Sequence, residues 1–182
     1  MRFVITGEWS RNRLLQLIVV LYALYVIGLW CTNAALYFSK MSLTAASVLE
    51  YYRGSEERFL PPRSFQGLLE VSHFHLFAMG MLLLVLTHLM LFVPLSPRTK
   101  ALGIVVPFFA ALLDEGAGWA VRYLHEGFAY AKVGGFLLLQ ASLATLVGVS
   151  LWAVFAGSAR NYRDSSTGLD LAPDVGPAPP PR

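Results

Sequence analysis

A single cysteine, Cys31, stands in the 182-residue chain, so neither a disulfide framework nor a cysteine-built zinc or iron–sulfur centre is open to it. Charge is scarce too. Only 14% of the residues are Asp, Glu, Lys or Arg, where ordinary soluble domains carry about 25%, and that is too few to clothe a water-facing surface. The formal charge of +3 forms no basic stripe and interleaves with no aromatic motif, which excludes nucleic acid as a partner. Phosphate-binding loops, dinucleotide fingerprints, H-E-x-x-H and a nucleophile elbow are all missing. So is the short alternating pattern of a membrane barrel. Apolar side chains, in contrast, make up 56% of the chain. This is the composition of a small integral membrane protein.

A spanning helix needs about 20 mostly apolar residues. Four stretches qualify, at 14–38, 67–93, 101–123 and 129–156. The predicted fold class is therefore all-α, an integral membrane four-helix bundle. The first stretch has an apolar core longer than the roughly 7–15 residues of a signal peptide, and no A-x-A site follows it, so it reads as uncleaved. Cys31 reads as a packed apolar residue within it.

Arg2, Arg11, Arg13, Arg98, Lys100, Arg160 and Arg163 lie in short flanks on one side. Their counterparts on the other side are diluted by acids, so both termini are expected in the cytoplasm. Residues 39–66 then form the one long outer loop. Within it, MSLTAASVLEYY has the look of a short interfacial helix, broken at Gly54 and followed by the stiffening Pro61-Pro62. The links PLSPRTK and LHEGF are tight turns, which makes consecutive helices antiparallel neighbours. Residues 157–182 end in GPAPPPR and read as a disordered, Pro-rich cytoplasmic tail.

Ionisable groups inside a span cost at least about 2.5–3.5 kcal/mol at its centre, so they normally face the bundle or a wet cavity. Glu70, His73 and His75 lie in the outer third of the second span, and Asp114 and Glu115 about 12 Å below the outer end of the third. Arg122 and His125 stand at the outer mouth. At 100° per residue, Glu70, His73, Phe77, Met81 and His88 share one face, and His75 points about 140° away from Glu70. Glu70 and His73 thus make one E-x-x-H pair expected to face the third span. Glu115 and Arg122, seven residues apart, share a face there, and Gly116 and Gly118 leave room for a neighbouring backbone or a cofactor edge.

Three kinds of site compete. Histidines on different helices can clamp a b-type haem, which makes His73, His75, His88 and His125 candidate cofactor ligands beside Arg122. A ladder of two haems would need matching histidines on a second helix, and only His125 remains. A single metal ion could be held by Glu70, His73 and Glu115, with Asp114 as a further ligand, although the two E-x-x-H motifs of di-iron bundles are not present. The same groups, with Phe74, Phe77 and Trp119 nearby, could instead hold a quinone head and relay its protons. The plainest alternative is a polar network that only fixes helix registry.

The stretches YYRGSEE, LLEVSHFHLF and GWAVRYLHEGFAYAKVGGF resemble small four-span bacterial inner-membrane proteins associated with respiratory cytochromes. The resemblance covers about residues 14–156. It implies a bacterial inner-membrane location, a redox context, and Glu70, His73, His75 and Arg122 as part of a shared pattern. The expected role is an accessory membrane subunit of a redox or respiratory system rather than an enzyme on its own. Its partners would be the lipid bilayer and either other respiratory membrane subunits or a second copy of the chain. A non-catalytic assembly protein is the alternative, and a small transporter working as a dimer comes third.

Overall fold

The computed structural model describes residues 13–166, with side chains as far as Phe155. Its order is α1 (Arg13–Lys40), α2 (Ala45–Arg53), α3 (Phe65–Met90), α4 (Pro97–Tyr123) and α5 (Phe128–Ser166). Four of these helices are long and apolar enough to cross a membrane. The protein is an all-helical, multi-pass membrane bundle.

Side-chain oxygens set the starts of three helices. Thr44, Ser64 and Ser96 are extended N-cap residues that accept from the backbone N–H groups of Ser47, Gly67 and Thr99. Such caps satisfy donors that have no partner within the helix. Because Ser96 caps and Pro97 can occupy the first turn, α4 begins four residues before the predicted 101. The stretch read as a tail begins at 157. Helix α5 continues through Ser166, because a helix can outlast the apolar stretch that marks its membrane span. The rest of the predicted tail lies outside the described residues.

Helix α5 is the centre of the bundle. Its spanning window is 39% buried, against 17% for α1. The α4–α5 contact is the most extensive in the fold. Gly135 explains the close approach, since a Cβ there would stand 2.9 Å from the backbone nitrogen of Asp114. Two apolar clusters form the core. One gathers Val26, Leu83, Leu86, Leu139, Leu143 and Leu146. The other, nearer the long loop, gathers Tyr37, Val48, Tyr52, Leu68, Val121 and Phe136.

Helix α2 is more than an interfacial helix. It buries Val48 and Tyr52 against the end of the bundle, and the Arg53 side chain donates from Nε to the Val121 carbonyl at 2.7 Å. Gly54 ends it at φ 84 and ψ 177, a region essentially closed to other residues. A Cβ at Gly54 would also lie 2.5 Å from the Leu60 carbonyl oxygen. Gly54→Ala is therefore expected to cost about 1–3 kcal/mol and to sharpen protease cleavage at 54–60. Thermal unfolding in detergent with limited proteolysis checks both.

Helix α1 leans on the bundle unevenly. At one level the Tyr22 hydroxyl approaches the Leu82 carbonyl of α3 at 3.4 Å. Midway, Trp30 Nε1 donates to Gln140 Oε1 of α5. Nearer the long loop the Tyr37 ring stacks on Phe136 at 3.8 Å, and a cavity separates α1 from α3. Cys31 is exposed rather than packed, a correction that follows from the small share of α1 that meets any neighbour.

Candidate functional site

The cavity has a volume of about 770 Å³, inside the usual range of about 300–1,000 Å³ for small-molecule sites. Four spanning helices wall it, and α2 with the segment Pro61–Ser64 forms its mouth. Three levels follow one another along the helix axes. Lys40, Tyr51 and Arg63 stand at the mouth. His75, Asp114, Glu115 and Lys132 form a polar belt, and below it lie Met79, Leu83, Phe108 and Leu139. At 1.5 Å per residue, His75 lies about 15 Å along α3 and Asp114 about 13 Å from the end of α4.

The belt holds two linked pairs. Glu115 Oε1 accepts the Ser72 hydroxyl, whose oxygen in turn accepts from Trp119 Nε1 at 2.7 Å. Its other oxygen, Oε2, lies 3.2 Å from His75 Nδ1. Lys132 Nζ lies 2.8 Å from Asp114 Oδ1 and donates to the Asp114 carbonyl at 3.0 Å. Asp114 Oδ1 is buried and has no donor besides this ammonium, so it keeps room for a second one. The Lys132 and Asp114 side chains are only 8% and 17% exposed. Burial sustains such charges only when they are paired, and each carboxylate here has its cation or donors.

At the mouth, the Arg63 guanidinium lies 4.0 Å over the Tyr51 ring. Burial pushes the Tyr52 hydroxyl well above its ordinary titration range, and the Asp114 charge adds to the effect. The room expected beside Gly118 is taken by this tyrosine, whose hydroxyl would stand 2.7 Å from a Cβ there.

The face assignment on α3 is corrected. Glu70, His73, Phe77, Met81 and His88 do share a face, but all five are exposed and turned away from the bundle. Glu70 accepts from Gln66 Nε2 at 2.9 Å, a neighbour one turn back. His73 lies edge-on to Phe74, and His88 to Phe92. His75, expected to point elsewhere, is the histidine that meets Glu115. Near a helix end the membrane edge tolerates polar groups, so the E-x-x-H pair had no need to turn inward.

The remaining candidates disperse. Arg122 donates from Nε to the Arg63 carbonyl at 2.9 Å and lies over Tyr123, apart from Glu115. His125 sits in the α4–α5 turn, where its Nδ1 accepts from the Gly127 N–H at 2.9 Å. Among the described residues no three His, Cys, Asp or Glu side chains are placed to hold a metal ion, so the predicted set Glu70, His73, Glu115 and Asp114 does not come together. The haem clamp does not assemble either. His88 lies 13 residues, about 20 Å, along α3 from His75, and His125 is engaged in its turn.

Sequence reasoning missed Lys132 and Ser72. A signal for both existed. Ser72, His75 and Leu86 fall within about 60° of one another on α3, and Lys132 is the one cation within the fourth span.

A family model for a transmembrane helical domain matches residues 42–161. The chain belongs to the Aq_1264_TM family. The matched segment takes in α2, α3, α4 and most of α5, and with them every belt residue; it leaves out α1. The family description extends to a membrane-spanning domain and not to redox chemistry. No curated protein and no solved structure matches the chain.

Proposed function

We propose that this Aq_1264_TM chain is an accessory subunit of a bacterial inner-membrane redox system, holding a quinone-class amphiphile in the cavity between α1 and α3. The observation that carries the reading is the polar belt above an apolar floor. A head with hydrogen-bonding oxygens would meet His75 from α3 and Lys132 from α5. Lys132 has three N–H donors, of which the Asp114 carboxylate and carbonyl engage two. A hydroxyl on the head could donate to Asp114 Oδ1, the buried oxygen that has no donor besides the Lys132 ammonium. An isoprenoid tail would run past Met79 and Leu83 or leave sideways past the exposed Leu36 and Leu76. Dispersal of the other histidines and carboxylates is why the quinone reading is preferred to metal or haem.

Trp119 lines the cavity and reports on it. In a variant with the other tryptophans replaced by phenylalanine, a short-chain quinone is expected to quench Trp119 fluorescence saturably. Quenching that rises linearly with no saturation, and is unchanged in Glu115→Gln, would remove the reading.

The full pairing of the belt supports a second reading, a network that only fixes helix registry. It makes the opposite claim for the same titration: no saturable quenching, with stability as the only property that belt substitutions change.

A further inference from the structure

We infer that the mouth is a one-sided vestibule, through which the belt carboxylates Asp114 and Glu115 exchange protons with the aqueous phase on the α2 side only. The inference goes beyond the ligand reading and stands without it, since it concerns what reaches the belt when the cavity holds only solvent.

The α2 side is open and polar. Lys40, Pro61, Pro62, Arg63 and Ser64 rim the mouth and all are exposed. Below them Asn33 of α1 lies seven residues, about 10 Å, down from Lys40 and lines the cavity near the level of the belt. His75, with 46% of its side chain exposed, lines the cavity beside Glu115. The titratable and charged groups that line the cavity with the two carboxylates are Tyr37 and Lys40 from α1, Tyr51 and Tyr52 from α2, His75 from α3 and Lys132 from α5, with Arg63 at the rim. A proton or water entering this way meets polar atoms from rim to belt.

The opposite side is closed and mostly apolar. Below the belt the cavity is lined by Met79, Leu83, Phe108 and Leu139, and it ends against the packed cluster of Val26, Leu82, Leu86, Leu143 and Leu146. Tyr22 and Leu82 join α1 to α3 there. The threonine and serine hydroxyls of α3 and α5 in this region are spent on their own helices, which leaves the Tyr22 hydroxyl and the Gln140 amide, held by Trp30, as its free-standing polar side chains. Thr87 donates to the Leu83 carbonyl, Ser142 to Leu138, Thr145 to Ala141 and Ser150 to Leu146, at 2.6–2.8 Å. Back-bonded hydroxyls offer no relay. Beyond those two side chains, water in this region would lack the two to four polar partners it needs.

Two measurements test this on the full chain in sealed vesicles of known orientation. The first uses the unaltered protein, a water-soluble carbodiimide and an impermeant amine. Mass spectrometry of the 111–123 segment is expected to show modified Asp114 or Glu115 when the reagents meet the α2 side, and at least tenfold less from the other side. The second uses Cys31→Ala as background and an impermeant thiosulfonate. Asn33→Cys is expected to react from the α2 side only, while Leu143→Cys reacts from neither side and yields only to a membrane-permeant maleimide. Equal modification from both sides, modification from the opposite side alone, or no modification at Asp114, Glu115 or Asn33→Cys would each overturn the inference. Neither measurement uses a quinone, so its outcome is separate from that of the fluorescence titration.

Discussion

Replacing Lys132 by methionine is expected to be the most damaging single substitution in the belt. Among the described residues the ammonium is the sole cation in contact with the buried Asp114 carboxylate, and removing it leaves a charge with little water to solvate it. Breaking a buried pair by deleting one partner typically costs about 3–5 kcal/mol, a large part of the roughly 5–15 kcal/mol that holds an average domain together. The partner substitution Asp114→Leu strands the ammonium and is expected to cost a similar amount. The double variant is the discriminating one. With both charges gone and the volume kept, most of the loss should return, because well-packed apolar replacements of a buried pair are often neutral or better. Thermal unfolding in detergent reads all three proteins. A double variant as unstable as either single one would show that the pair acts through packing shape rather than charge. Gly135→Ala belongs to the same region but works by sterics. Its methyl group would press on the Asp114 backbone, and overpacking of this kind costs about 1–3 kcal/mol, readable in the same unfolding experiment.

The spans were legible because the membrane imposes a length and an apolar composition that few other structures share. Leu14 to Phe38 without one charged residue admits no other reading, and α1 follows it closely. The loop helix was legible too, since Gly54 is a strong stop signal, although its start at the Thr44 cap lies inside the stretch read from Met41. The site was legible only in part. Depth along a helix follows from counting residues, so Asp114, Glu115 and His75 fall at matching levels in the structure as they do in the sequence. Rotation does not follow from counting. The periodicity correctly placed Glu70, His73 and His88 on one face of α3, but which face turns inward depends on what the neighbouring helices offer. The serine at position 72 tips the balance, because its hydroxyl and the small size of its side chain let Trp119 and Glu115 close over α3. Lys132 escaped notice for a related reason. Its Cα stands about 6 Å inside α5, where a lysine ordinarily extends to the membrane surface. Here the buried Asp114 draws it inward instead.

His75→Ala and His73→Ala should separate function from structure most sharply. His75 meets Glu115 at 3.2 Å, but almost half of its side chain is exposed, so the pair is worth no more than about 1 kcal/mol to stability. Its place on the cavity wall makes it worth more to a ligand. His75→Ala is expected to weaken quinone binding tenfold or more, a loss of about 1.4 kcal/mol, while the unfolding temperature moves little. His73→Ala removes a side chain whose ring touches only the neighbouring Phe74, and it is expected to change neither property beyond about 0.5 kcal/mol. Titration of Trp119 fluorescence beside thermal unfolding measures both quantities on each variant. An effect on binding from His73→Ala with none from His75→Ala would reverse the face assigned to α3 and, with it, the cavity as the ligand site. Equal and purely structural losses from both would favour the registry network. The asymmetry between two histidines separated by one residue is the consequence of a helix that turns 100° per step: one ring reaches the belt, and the other looks away from it.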